Sequence, residues 1–261
     1  MTRLGFAGRL AEADRCLFGT WVKIPSMETV EILADAGFDY IVVDQEHSPL
    51  TMEAAYRAMV AAQGNGMSVI VRVPDRSGGY LQRLLDMGVD GVLVPRVISL
   101  DQARDAVRQM TFSPRGDRGA GYTARAGRWG AVSFADYIAW GDTQVMRAVQ
   151  LEDRETVAAA DEILSIDGLN GVFLGMGDLT LSTGLPASDP EIQGLVDTFL
   201  EAANAHGVPA GTAVQTSSEA LAAAERGYRF VMVSNDTSLM RTAASSLVKE
   251  IHEGALDAVH S

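Results

Sequence analysis

The chain has 261 residues, 47% of them hydrophobic, which is material for a large core and a length at which α/β barrels form one unit. Its formal net charge of −13 argues against nucleic acid and anionic membrane as partners. No apolar run approaches the roughly 20 residues of a membrane span. The charged start, MTRLGFAGRLAEADR, lacks a signal-peptide core, and the one cysteine, Cys16, cannot form an internal disulfide, so a cytoplasmic location is expected.

In chain order, apolar strand-like runs alternate with helical stretches. Strands are expected over 17–22, 40–44, 68–73, 91–95, 146–151, 171–174, 208–214 and 230–233. Cys16 opens the first and reads as core. Between the strands, segments such as 51–63 and 100–110 carry apolar residues at three- and four-residue spacing, as amphipathic helices do. Eight β-then-α units with no break in composition predict a (β/α)8 TIM-type barrel, with residues 1–261 forming a single domain. The alternative is an open doubly wound sheet, but no Gly-X-Gly-X-X-Gly follows the first strand.

The strand-to-helix turns are polar: Lys23; Asp44, Glu46 and His47; Arg72; Arg96; Gln150 and Glu152; Asp178; Gln215; Asn235 and Asp236. The helix-to-strand turns are mostly glycine motifs, such as Ala36-Gly37, Met87-Gly88 and Arg226-Gly227, which suit helix C-caps. That asymmetry is expected of a barrel with one functional face. One connection is long. Residues 112–131 are rich in Gly and Arg, with Arg115, Arg118, Arg125 and Arg128 against a single Asp. An anion-binding or subunit-contact loop is expected there.

Glu152 and Asp178 close neighbouring hydrophobic runs and lie 26 residues apart. Either alone reads as a helix N-cap or first-turn acid. Together, with Gln150 on the same strand face as Glu152, they suggest a site for a hard divalent cation. Oxygen donors with no cysteine or histidine beside them select Mg²⁺ or Mn²⁺. His47 is the one histidine of four at a strand's carboxyl end and is placed to act as a general base; His206, His252 and His260 read as surface residues. Arg72 ends an apolar strand and must meet an anion, either Asp44 or a developing oxyanion. Only Lys23 and Lys249 are lysines, so a Schiff-base enzyme would have to use Lys23.

The segments Phe18-Gly19-Thr20-Trp21, Asp44-Gln45-Glu46-His47-Ser48-Pro49, Val71-Arg72-Val73-Pro74, Ala124-Arg125-Ala126-Gly127-Arg128-Trp129-Gly130, Val149-Gln150-Leu151-Glu152 and Gly175-Met176-Gly177-Asp178 lie in this order along the chain. Together they resemble the HpcH/HpaI aldolases, the metal-dependent class II pyruvate aldolases of 4-hydroxy-2-oxo acids. The resemblance implies a lyase that cleaves such an acid reversibly to pyruvate, or hydroxypyruvate, and an aldehyde through a metal-stabilised enolate. Glu152 and Asp178 would hold Mg²⁺, Mn²⁺ or Co²⁺; Gln150 and the N–H groups of Gly177 and Asp178 would bind the pyruvate part. His47 would be the base, Arg72 would stabilise the enolate, and Asp86 would raise the basicity of His47. Trp21, Lys23 and Arg125 are candidate specificity residues.

The chain departs from the family pattern at Gln45, at Met176-Gly177 and at Lys23, which bears on the substrate more than on the reaction type. The resemblance also implies a homo-oligomer, a hexamer, whose last helix is exchanged with a neighbouring subunit. Leu239, Met240, Ala243, Leu247 and Ile251 supply an apolar stripe for that contact. The alternatives are an acyl-CoA lyase of the related citrate-lyase branch and a non-catalytic organic-acid-binding barrel.

Overall fold

The computed structural model describes residues 4–259. Among these, eight parallel strands close into a barrel in chain order: β1 (Leu17–Val22), β2 (Tyr40–Asp44), β3 (Ser68–Arg72), β4 (Gly91–Val94), β5 (Met146–Leu151), β6 (Gly171–Leu174), β7 (Ala210–Val214) and β8 (Phe230–Asn235). The first helices are α1 (Phe6–Glu12), α2 (Met27–Asp35), α3 (Met52–Gly64), α4 (Gly78–Met87), α5 (Leu100–Met110) and α6 (Phe134–Thr143). They are followed by α7 (Arg154–Ala158), α8 (Ala160–Leu164), α9 (Met176–Thr183), α10 (Pro190–Ala205), α11 (Ser217–Arg226) and α12 (Asp236–Val259). The expected (β/α)8 barrel is present. The open-sheet alternative fails because β1 pairs with β8, Leu17 against Phe230.

Period-two alternation builds two cores. Leu17, Tyr40, Val42, Ile70, Leu93, Met146, Phe173, Phe230 and Met232 point into the barrel. Their strand neighbours Ile41, Val43, Val69, Val71, Val149, Val172 and Val231 face the helices. Most strand limits match the sequence reading. Pro209 has no N–H to give a ladder, and β7 starts one residue after it. Across a register shift, Trp21 pairs with Asn235 and carries β8 two residues beyond the expected end.

Helix α1 was not foreseen. Phe6 and Leu10, four residues apart, share one helix face and are buried. The Phe6 ring lies 4.7 Å from that of Tyr40 and 5.7 Å from that of Phe230, plugging the end of the barrel where the strands begin. Cys16 is buried, and burial pushes its thiol up to about 11, so it is an inert core residue. His206 pairs with Asp161 at 2.9 Å, His252 is exposed, and His260 lies outside the described residues.

Residues 112–131 follow α5 and lead to α6, at the helix-to-strand end of the barrel. The segment is folded, not an open lid. Arg118 is buried, with its guanidinium 4.1 Å from the centre of the Phe112 ring. Arg128 and Trp129 both take left-handed backbone, with φ of 52° and 60°, and Trp129 is exposed. Helix α12 leaves the barrel: every residue from 239 to 253 is exposed, including Leu239, Met240, Leu247 and Ile251.

Gly211 in β7 permits close packing inside the barrel. A methyl group there would lie 2.1 Å from the Phe230 ring. Gly211→Ala should therefore cost about 1–3 kcal/mol through overpacking, seen as a lower urea midpoint at unchanged slope. An unshifted midpoint would show that Phe230 has room to turn aside.

Candidate active site

The site is the top layer of the barrel interior. Continuing the inward alternation by two residues leads from Trp21 to Lys23, from Val42 to Asp44, from Ile70 to Arg72, and from Ala148 to Gln150 and then Glu152. Strand register sets Asp44 directly beside Arg72. The apolar layers below leave these groups no neighbours to pair with except one another.

Asp44 has no solvent exposure. Its Oδ1 accepts from Arg72 Nε at 3.0 Å, and its Oδ2 accepts from Arg72 Nη2 at 2.8 Å. Lys23 Nζ is also 2.8 Å from Oδ2. Burial by itself would raise this carboxyl, but the hydrogen bond and charge of Arg72 outweigh it, helped by Lys23 and by the His47 N–H. Together they hold it at about 2. Arg72 is thus paired structurally, as one sequence reading allowed. Its Nη1 lies 3.2 Å from Glu46, and its guanidinium sits 4.2 Å over the Trp21 ring. Trp21 is a buried platform for Arg72. Lys23 is committed to Asp44, which removes the obvious free amine from a Schiff-base reading.

Glu46 gathers the rim. Besides Arg72 it meets Arg96 Nε at 3.2 Å, and His47 Nε2 lies 3.7 Å away. His47 itself is exposed at the mouth, with its backbone N–H donating to Asp44 Oδ1. On the other side, the Glu152 carboxylate accepts from the Arg96 backbone N–H at 2.8 Å and from the Gln150 amide. Burial raises the Glu152 carboxyl, and the charges of Asp178 and Glu46 add to this against the opposing hydrogen bonds. Gln150 Oε1 is buried with no hydrogen-bond partner. The backbone at Gly175 presses on both side chains; a Cβ there would lie 2.8 Å from that of Glu152.

The reading of the two acids as helix caps or first-turn acids fails for Glu152 and holds for Asp178. Asp153 caps α7 in place of Glu152, and Asp178 lies in the first turn of α9, exposed, after a Gly175 N-cap with no side chain. Gly177 is exposed beside Asp178, and a Cβ on it would meet nothing within 4 Å.

Two candidates lie elsewhere in the chain. Asp86 is near the end of α4, at the opposite end of the barrel from His47, where it accepts from Tyr137 Oη at 3.1 Å. Arg125 is at that end too, donating to Gln63 Oε1 at 2.8 Å and to the Met87 carbonyl. Sequence reasoning gave no role to Asp236, whose buried carboxylate accepts from the backbone N–H groups of Lys23 and Ile24 and so anchors the end of β1. Its place just after a strand and at the start of a helix was the available signal.

Residues 17–243 match the family model described as HpcH/HpaI aldolase/citrate lyase. The chain belongs to that family. It is 32% identical to the hydroxypyruvate/pyruvate aldolase of Roseobacter denitrificans, over 95% of this chain and 97% of that one. It is also 32% identical to the 5-keto-4-deoxy-D-glucarate aldolase of Escherichia coli, over 90% and 92%. The crystal structure of an HpcH/HpaI aldolase from Desulfitobacterium hafniense superposes with a TM-score of 0.89 at 28% identity, covering 96% of this chain and 97% of that one. The protein is accordingly a lyase of the aldolase type. Among the described residues no helix is long and apolar enough to cross a membrane.

The low Asp44 value makes a prediction about acid stability. Its folded value of about 2 lies below the ordinary 3.8, so the pairing stabilises the fold above about pH 4 and is lost as pH falls through 2. Asp44→Asn, which takes the buried counter-charge from Arg72 and Lys23, should cost about 3–5 kcal/mol near neutrality. The gap between variant and wild type should close by about 2 kcal/mol on acidification. Urea midpoints measured across that range test this, and a gap independent of pH would contradict it.

Proposed function

We propose that the chain reversibly cleaves a 4-hydroxy-2-oxo acid to pyruvate or hydroxypyruvate and an aldehyde. The observation that carries this reading is the buried Glu152 beside Asp178, with the unpartnered Gln150 Oε1 next to it and Arg72 and His47 around it. The residues fit a hard divalent cation. Burial, with the charge of Asp178 adding to it, raises the Glu152 carboxyl, a situation that positive charge relieves, and oxygen donors favour Mg²⁺, Mn²⁺ or Co²⁺ over structural zinc. Among the described residues no third acid, histidine or cysteine completes the group, which leaves room for substrate and water. Held by Glu152 and Asp178, the cation supplies Lewis-acid polarisation of the 2-oxo acid.

The chain's own groups do the rest. The N–H groups of Gly177 and Asp178, in the first turn of α9, have no intrahelical acceptor and suit the substrate carboxylate. Gln150 lies beside them to fix the orientation of the oxo acid. His47, at the open rim, takes the proton of the 4-hydroxyl as the C3–C4 bond breaks. The electron pair moves into an enolate, whose oxygen Arg72 meets with donors not used on Asp44 and Glu46. A guanidinium has five N–H groups, and the hydrogen bonds to Asp44 occupy two, while Nη1 faces Glu46 as an ion pair. Because the surrounding ion pairs fix Arg72, it needs no reorganisation as charge develops.

Within one chain Asp86 and Arg125 do not reach His47, so their roles require a second copy. The exposed apolar stripe of α12 and the exposed Trp129 supply contact surfaces for a homo-oligomer, a hexamer with exchanged C-terminal helices. In that assembly Asp86 of one copy orients His47 of another.

Chelation should abolish pyruvate release from 4-hydroxy-2-oxo acids, measured through coupled lactate dehydrogenase, and Mg²⁺, Mn²⁺ or Co²⁺ should restore it. Full activity after exhaustive chelation would sink the metal assignment, and no release from any such acid would sink the substrate class. His47→Ala and Asp86→Ala should each be inactive alone and should regain activity when mixed and reassembled. Persistent inactivity of correctly assembled mixtures would place Asp86 outside the site.

A further inference from the structure

We propose that Arg96 selects the aldehyde half of the substrate by binding an anionic group, a carboxylate or a phosphate, at its far end. This rests on the aldolase reading above and deepens it.

Arg96 follows β4 at the mouth and has a left-handed backbone, with φ of 52°. A residue with a Cβ is disfavoured there, and three contacts hold it. Its N–H donates to Glu152 Oε1 at 2.8 Å, its Nε meets Glu46 Oε1 at 3.2 Å, and its Nη2 donates to the Pro74 carbonyl at 3.0 Å. These contacts aim the guanidinium without using it up. The side chain is 65% exposed, and its two side-chain contacts leave three of five N–H donors, including both on Nη1, for a ligand.

The other cations at this end of the barrel are engaged. Lys23 and Arg72 share buried Asp44, and Arg76 donates to Gln102. Arg125 lies at the opposite end. Arg96 is therefore the exposed guanidinium that stands beside both Glu46 and Glu152, on a protein whose net charge is −13.

Its place also matches the direction of the substrate. The oxo acid end belongs at Glu152 and Gln150. The hydroxyl-bearing carbon belongs near His47, which lies 3.7 Å from the same Glu46 carboxylate that holds Arg96. A chain continuing beyond that carbon passes the guanidinium fork, whose planar geometry suits a carboxylate or phosphate.

The test is aldol synthesis from pyruvate with three aldehydes: 4-oxobutanoate, glyceraldehyde 3-phosphate and neutral butanal. The wild type should prefer an anionic aldehyde over butanal by kcat/KM, and the preferred one identifies the group. Arg96→Asn removes the cation yet tolerates left-handed backbone, keeping the N–H to Glu152. Its preference should fall by about 10- to 100-fold, mostly through KM. Arg96→Lys should recover part of it. Mn²⁺ binding, followed by the spin-resonance signal of the free ion, should show the metal site intact in Arg96→Asn.

If the wild type uses butanal as well as either anion, or if Arg96→Asn loses all three aldehydes equally, the proposal is wrong and Arg96 only braces Glu46. Condensation with no aldehyde at all would overturn the aldolase reading itself. The wild-type preference can be read even if a variant fails to fold.

Discussion

A carboxylate sealed from water at the top of the barrel, Asp44, is the interaction on which the rest of the mouth depends. It ties the ends of β1 and β3 to β2 through the half-buried Lys23 and the buried Arg72, a cation that needs a counter-charge at that depth. Removing one partner of such a buried group leaves the others short of opposite charge where water has little access, so the three residues form a unit. Arg72 then braces Glu46, Glu46 braces Arg96, and the Arg96 backbone holds Glu152. Rigidity passes from the buried pair outward to Glu152.

The opposite situation holds at Glu152. Where Asp44 is surrounded by cations, Glu152 is buried with Asp178 and Glu46 as like-charged neighbours, and its carboxyl is raised. Two buried acids a few residues from the same rim are thus driven in opposite directions by their surroundings. Active sites commonly arrange such opposite shifts through environment. Gly175 contributes to that environment, because only a residue without a side chain lets the β6–α9 turn press on Glu152 and Gln150.

The two ends of the barrel divide the remaining work. At the strand-to-helix end lie the acids, His47 and the three cations. At the other end lie the Phe6 plug, the folded Arg-rich segment, Asp86 and Arg125. Parallel strands keep these groups apart in one chain, whatever their nearness in sequence to residues of the mouth. The projecting α12 is the element with an exposed apolar stripe.

Much of this was legible in the residues. Alternation of period two determined the eight strands and, followed two residues beyond each apolar stretch, determined that Asp44, Arg72, Gln150 and Glu152 face one interior, because side-chain direction in a strand is a local property. The paired carboxylates and the lone strand-end histidine could be named for the same reason. Other features depended on closure. That Lys23 and Arg72 share one oxygen of Asp44, that Arg96 turns left-handed to reach Glu152, and that Asp236 anchors β1 from more than 200 residues away all require strands distant in sequence to meet. Helix α1 was missed because its two buried residues form too short a pattern without the barrel floor they fill. The positions of Asp86 and Arg125 were decided by tertiary structure alone: sequence shows that a helix separates two strands, but only the closed parallel barrel sends its two ends to opposite faces.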